Sequence, residues 1–209
     1  MKLITEMTNP DNLEYVVENT NTGKKSYIVG PFAKAEEVNK NKRKYGMAVL
    51  REAVEVYDRE FIKERRALGE LNHPDNRPFA DPREAAILIE SLDWQSNVVI
   101  GKAAVMDTHW GQHIKALMES NFKMGVSTRG LGKLTEQRGG YNSVDKYIMT
   151  AVDAVDNPSM HTAYVDMISE SKVEWEFKDG IWKQKYGFNK LMLENNIDRI
   201  IETMKKLKH

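Results

Sequence analysis

Three residues of this chain have types and surroundings that could do chemistry together: Ser127, His73 and Asp153. Ser127 stands in KMGVSTRGLG, residues 123–132, after an apolar lead-in and among three glycines. The motif is not a G-x-S-x-G nucleophile elbow, because the second glycine is Gly130, one place too late. Gly125, Gly130 and Gly132 would nevertheless let backbone amides come close to a reacting carbonyl, as an oxyanion hole requires. Thr128, Arg129 and Gly130 are therefore the candidate oxyanion and substrate-binding residues, with Arg129 adding positive charge. A glycine-rich strand end with a locally satisfied hydroxyl is the competing reading.

A serine nucleophile needs a base. The histidines are His73, His109, His113, His161 and His209, and the last of these is the final residue. His73 lies in GELNHPDNRPFADP, where Pro74 drives it out of helical geometry and the prolines stiffen the loop. Such a loop can hold a general base, although a solvent-exposed loop histidine fits the same composition. His109 and His113 are four apart, which on a helix places both on one face as a metal pair needs. There is no HExxH glutamate between them, and Gly111 weakens the helix. For the third member, Asp153 sits in the apolar run TAVDAV, where an inward carboxylate needs a partner such as a histidine N–H. Asp156 and Glu70 are the fallback acids. A Ser-His-Asp hydrolase is allowed by these residues, and spacing alone leaves it open.

These groups must be positioned by the surrounding elements. LEYVV and SYIVG read as strands joined by a hairpin in which Gly23 supplies a positive φ, against a frayed N-terminal arm. The basic cluster Lys40, Lys42, Arg43 and Lys44 reads as a solvated face. Val49, Leu50, Ala53, Val54, Tyr57, Phe61 and Ile62 predict a helix over 47–67 that ends at Gly69. AAILIESLDW and NVVIGKAAVM predict antiparallel strands around a tight turn at 95–97. A short helix over HWGQHIKALMESNF follows, then an extended GVSTRGLGKL, a turn at RGGYNS and a strand over VDKYIMTAVDAV. No βαβ alternation or internal repeat appears, so the class is α+β. Beyond about residue 157 lie the alternating VEWEFKDGIWKQKYGF and a terminal amphipathic helix striped by Leu191, Leu193, Ile197, Ile200, Ile201, Met204 and Leu207.

Length and composition fit one soluble globular domain with an appendage: residues 1–160, then 161–209. The absence of cysteine excludes disulfides, thiolate nucleophiles and Cys-ligated metals. A net charge of zero offers no global field for nucleic acid or an anionic membrane. The N-terminus meets Glu6 before any apolar run, unlike a signal peptide, and no segment nears the roughly 18 apolar residues of a membrane span.

ALGELNHPDNRPFADPREAAILIE and GVSTRGLGKLTE, followed by VDAVDNPS, resemble the prohead core protein proteases of T-even-type tailed bacteriophages. With AEEVNKNKRKY upstream the resemblance runs from about Val29 to Met160, and LNHP and GVS-x-RG are specific together. It implies a fold similar to herpesvirus assembly proteases, an antiparallel β-barrel core surrounded by helices. It also implies a serine endopeptidase acting inside the assembling prohead, in the host cytoplasm. Its substrates would be scaffold and core proteins and the major capsid protein, with a homo-oligomer allowed and no cofactor called for. By motif, Ser127 becomes the nucleophile, His73 the base and Asp153 the orienting acid. The family implies cleavage after glutamate with an aliphatic residue two places before it, for which Arg129 and Lys133 are candidate pocket cations. Ile168-Ser169-Glu170 predicts self-cleavage at Glu170; L-G-E at Glu70 and L-I-E at Glu90 also match and read as structural. The N-terminal arm or the tail would mask the site until cut. The alternatives are a non-enzymatic prohead scaffold or assembly protein, and more remotely a metal hydrolase using His109 and His113.

Overall fold

A computed structural model of the chain describes residues 1–7, 13–20, 23–74, 76–156, 174–178 and 180–185. The chain divides into two compact units, residues 1–172 and 173–209. In the first, β2 (Glu14–Thr20) and β3 (Gly23–Lys34) form the N-terminal hairpin, with Gly23 at φ 121°. β3 pairs with β7 (Val98–Val105), β7 with β6 (Ala85–Gln95), and β6 with β5 (Leu68–Glu70), giving a five-stranded antiparallel sheet. The turn between β6 and β7 is tight because Ser96 takes a left-handed conformation at φ 58°.

A second sheet carries the serine. β8 (Gly125–Gln137) lies between β1 (Lys2–Met7) and β9 (Tyr141–Val155), antiparallel to both, and β4 (Arg43–Tyr45) adds parallel to β9. Residues of both sheets and of helix α1 (Met47–Tyr57) share one core cluster that includes Ile4, Ile28, Tyr57, Ile87, Val126 and Val152. Helix α2 (His109–Glu119) buries Gly111 and Ile114. No described helix is long and apolar enough to cross a membrane.

The α+β class is as read, with two α-helices among the described residues. Among the described residues no closed barrel forms: β2 and β5 end one sheet and β4 ends the other. The two sheets share that core and, among the described residues, are linked by a parallel bridge between Leu71 and Ala154. Helix α1 is also shorter than its apolar period suggested. It passes at Asp58 into a π-turn through Ile62, which adds a residue to the turn and lets Tyr57 and Ile62, five apart, both be buried. Gly69 ends no helix but lies inside β5. Arg43 is no surface charge either: it is 2% exposed and ion-paired to Glu6 at 2.9 Å.

The second unit contains a hairpin of β10 (Glu174–Lys178) and β11 (Ile181–Lys185), turning at Gly180 with φ 78°. The rings of Phe177 and Trp182 meet across it at a tilt of 57°, with centroids 5.4 Å apart. The predicted terminal helix and the Glu170 cleavage site lie outside the described residues.

Candidate active site

Strand pairing brings two of the three residues together. β8 and β9 run antiparallel with Ser127 directly opposite Asp153, so the side chains share a face at neighbouring distance. The histidine arrives from the other sheet. Glycine at 69 lets β5 press against β9: a Cβ there would stand 1.9 Å from the Val152 carbonyl oxygen. The Glu70 amide then donates to Asp153 Oδ1 at 2.8 Å and the Asn72 amide to the Ala154 carbonyl at 2.7 Å. Asn72 adopts φ 65°, turning the chain so that His73 comes over Asp153.

The result is a continuous chain of three groups. His73 Nδ1 is 2.7 Å from Asp153 Oδ2, and His73 Nε2 is 2.5 Å from Ser127 Oγ. An ionised carboxylate only accepts, so the imidazole proton belongs on Nδ1 and Nε2 is free to accept from the serine hydroxyl. Asp153 and Ser127 have no exposed surface, whereas the His73 side chain is 18% exposed. Beside His73 opens a polar cavity of about 470 Å³ whose lining includes Arg77, Asp81, Arg83, Glu84 and Trp110. Hydroxyl, neutral imidazole and carboxylate in this order can transfer a proton from serine to histidine as the serine attacks.

A family model described as the prohead core protein serine protease matches residues 13–173. The chain belongs to that family. The prohead core protein protease of Enterobacteria phage T4 is 43% identical over 143 residues, 66% of this chain and 67% of the relative. The solved bacteriophage T4 capsid assembly protease is similar at a TM-score of 0.68 and 38% identity, over 73% of this chain and 96% of that one. As a member of the family the chain is a serine protease, and the scaffold-only alternative gives way.

The remaining sequence candidates fall in different places. Of the three acids considered, Asp153 contacts His73; Glu70 lies behind it, and the Asp156 amide donates to the Asn72 side chain at 3.3 Å. Arg129 has its guanidinium committed to buried partners. It shares a strand face with Ser127, two residues on, but points into the core with 0% exposure. Its Nη2 donates to Asp153 Oδ1 at 3.0 Å, and its Nε lies 2.8 Å from Oδ2, an ion-pair contact not aligned as a hydrogen bond. Nη1 donates to the carbonyls of Arg77 and Phe79 at 3.0 and 3.4 Å, fastening the histidine loop. Thr128 has ladder partners on both sides, Glu6 and Val152, so its amide belongs to the sheet and its side chain to the opposite face. Gly130 is a packing glycine: a Cβ there would stand 2.4 Å from the Ile148 carbonyl oxygen. Lys133 is exposed six residues from Ser127, about 20 Å along a strand.

His109 and His113 both pack edge-on against Trp110, at centroid distances of 4.7 and 6.4 Å. Among the described residues no group of three or more His, Cys, Asp or Glu side chains could hold a metal. Sequence reading missed the supporting role of Arg129, although its i, i+2 spacing from Ser127 on a strand was the available signal.

Proposed function

We propose that Ser127 is the nucleophile, His73 its general base and Asp153 the acid that orients His73, in a protease that acts within the assembling prohead. The observation carrying this reading is the hydrogen-bonded order Asp153–His73–Ser127, at 2.7 and 2.5 Å. In it, His73 Nε2 takes the Ser127 proton as Oγ attacks the scissile carbonyl, then returns it to the leaving amine. Asp153 stabilises the imidazolium formed between the two steps.

The substrates in this reading are internal scaffold and core proteins and the major capsid protein, cut after glutamate preceded two places earlier by an aliphatic residue. Self-cleavage near Glu170 releases the C-terminal segment. With Arg129 buried and Lys133 distant, Arg77 and Arg83 in the cavity beside His73 become the candidate cations for the glutamate side chain. Ser127's lack of exposed surface supports a resting form that a covering segment keeps silent.

Purified wild type, Ser127→Ala and His73→Gln, incubated with phage scaffold protein and followed by intact mass, test the assignment. Scaffold fragments ending in glutamate, in wild type only, are the expected result. Equal cleavage by Ser127→Ala would remove the nucleophile assignment. A chain ending at Glu170 that is no more active than the full chain would remove the masking role of the tail.

A further inference from the structure

Beside Asp153 lie two buried charges that the three-residue chemistry does not use. Arg129 Nη2, which donates to Asp153 Oδ1 at 3.0 Å, also lies 3.4 Å from Glu70 Oε1. Glu70, 3% exposed, accepts from Arg77 Nη2 at 2.6 Å and from the Asp81 amide at 2.7 Å. Anion, cation, anion and cation therefore alternate from Asp153 through Arg129 and Glu70 to Arg77. With His73 neutral, the formal charge of the chain is zero. Among the described residues, the other titratable groups facing this cluster include Asp81, paired with Arg83 at 2.6 Å, Tyr57 from α1 and Tyr147 from β9. The Tyr57 hydroxyl is held above the usual phenol range first by burial and then by the charge of Asp153.

We propose that Arg129 is a positioning residue of the reaction, and that Glu70 and Arg77 complete a charge-balanced chain keeping Asp153 ionised while His73 stays neutral. The inference rests on the serine–histidine–aspartate reading above. Its reason is electrostatic. Without Arg129, two desolvated carboxylates face each other with one cation between them and solvent, and such a cluster takes up a proton. If Asp153 receives it, the His73 Nδ1–H loses its acceptor; if His73 receives it, Ser127 loses its base. Either way the hydroxyl is no longer activated. Neutralising Glu70 at the same time restores the balance, leaving Asp153 against Arg77.

The test uses the full chain as wild type, Arg129→Met and Glu70→Gln/Arg129→Met. Two readouts are taken: scaffold cleavage rate and the low-field proton resonance of the His73 Nδ1–H bonded to Asp153. In Arg129→Met the resonance should vanish or move, with cleavage at least about 100-fold slower. In the double variant both should return, cleavage to within about tenfold of wild type. A merely structural arginine gives a double variant worse than the single one, and that result overturns the proposal, as does an unmoved resonance in Arg129→Met. If Arg129→Met does not fold, the double variant decides: the wild-type resonance supports the charge balance, and its absence overturns it. Asp153→Asn keeps the two readings apart. If the resonance survives that change, the aspartate assignment fails; if it is lost there but unmoved in Arg129→Met, only the role of Arg129 fails.

Discussion

Glu6 on β1 and Asp153 on β9 are both buried carboxylates gripped by a buried arginine, Arg43 at 2.9 Å and Arg129 at 2.8 Å. Around Glu6 every partner is fixed. Arg43 and Tyr45 donate to Oε1, each at 2.9 Å, while Asn39 and Asn41 donate to Oε2 at 2.5 and 2.9 Å. Asp153 has a similar set with one substitution: one oxygen accepts from a histidine that reaches toward solvent and toward a serine. The first carboxylate is saturated by groups that hold their protons at neutral pH. The second is coupled to the side chain whose ordinary titration lies nearest neutrality. On the proposed reading, a buried ion pair is scaffolding or machinery according to whether one partner can exchange a proton.

The sharpest break between the two is in rate. Asp153→Asn keeps the shape of the side chain but not its charge, and scaffold cleavage should fall about 10⁴-fold, the scale found when a triad aspartate is made amide. Glu6→Gln should leave the cleavage rate within about twofold yet lower urea stability by about 3 kcal/mol, because Arg43 is left buried without its anion. Equal rate losses in the two variants would erase the distinction.

Gly69→Ala tests the close approach that delivers the histidine. Its Cβ would meet the Val152 carbonyl oxygen at 1.9 Å and Ile87 Cγ1 at 2.8 Å, so β5 must move away from β9. A displacement near 1 Å at His73 lowers cleavage by about 100-fold, and overpacking removes about 1–3 kcal/mol of stability. Gly130→Ala, also crowded, at 2.4 Å, but directed toward Ile148 and Tyr147, should lose comparable stability with a smaller loss of rate.

The local elements were legible because local chemistry encodes them. The β6–β7 and β8–β9 hairpins follow from β-branched runs and turn residues, and His73 was marked by the proline after it. Asp153 was marked by its apolar neighbours, since a carboxylate in such a run must find a partner. What could not be read was the pairing of distant segments. Nothing near Leu71 announces its bridge to Ala154, so the encounter of His73 with Asp153 was visible only through motif resemblance. Arg43 was read as exposed, and Arg129 as charge for the substrate, for one reason: the carboxylate that meets each lies far away in sequence. The π-turn after α1 escaped because a period of three and four continues smoothly through Phe61.

The smallest losses of rate are expected at the tyrosines beside the two carboxylates, both pushed up by burial. Tyr45 donates directly to Glu6 at 2.9 Å, so Tyr45→Phe removes a hydrogen bond to a charged group and should lower stability by about 1.5–3 kcal/mol. Tyr57 feels Asp153 as a through-space charge, so Tyr57→Phe should change stability at pH 7 by less than about 1 kcal/mol and cleavage by less than about threefold. Above neutrality the sign is fixed by the direction of the shift. The folded protein holds the Tyr57 proton more tightly than the unfolded chain, so its contribution is present below about pH 10 and is lost as pH rises through the folded value. Tyr57→Phe cannot lose that contribution, and its urea midpoint should fall less steeply than that of wild type above pH 10. Parallel alkaline curves would mean that Tyr57 is not held apart from Asp153 as a neutral phenol, and the electrostatic wall behind the aspartate would have to be redrawn.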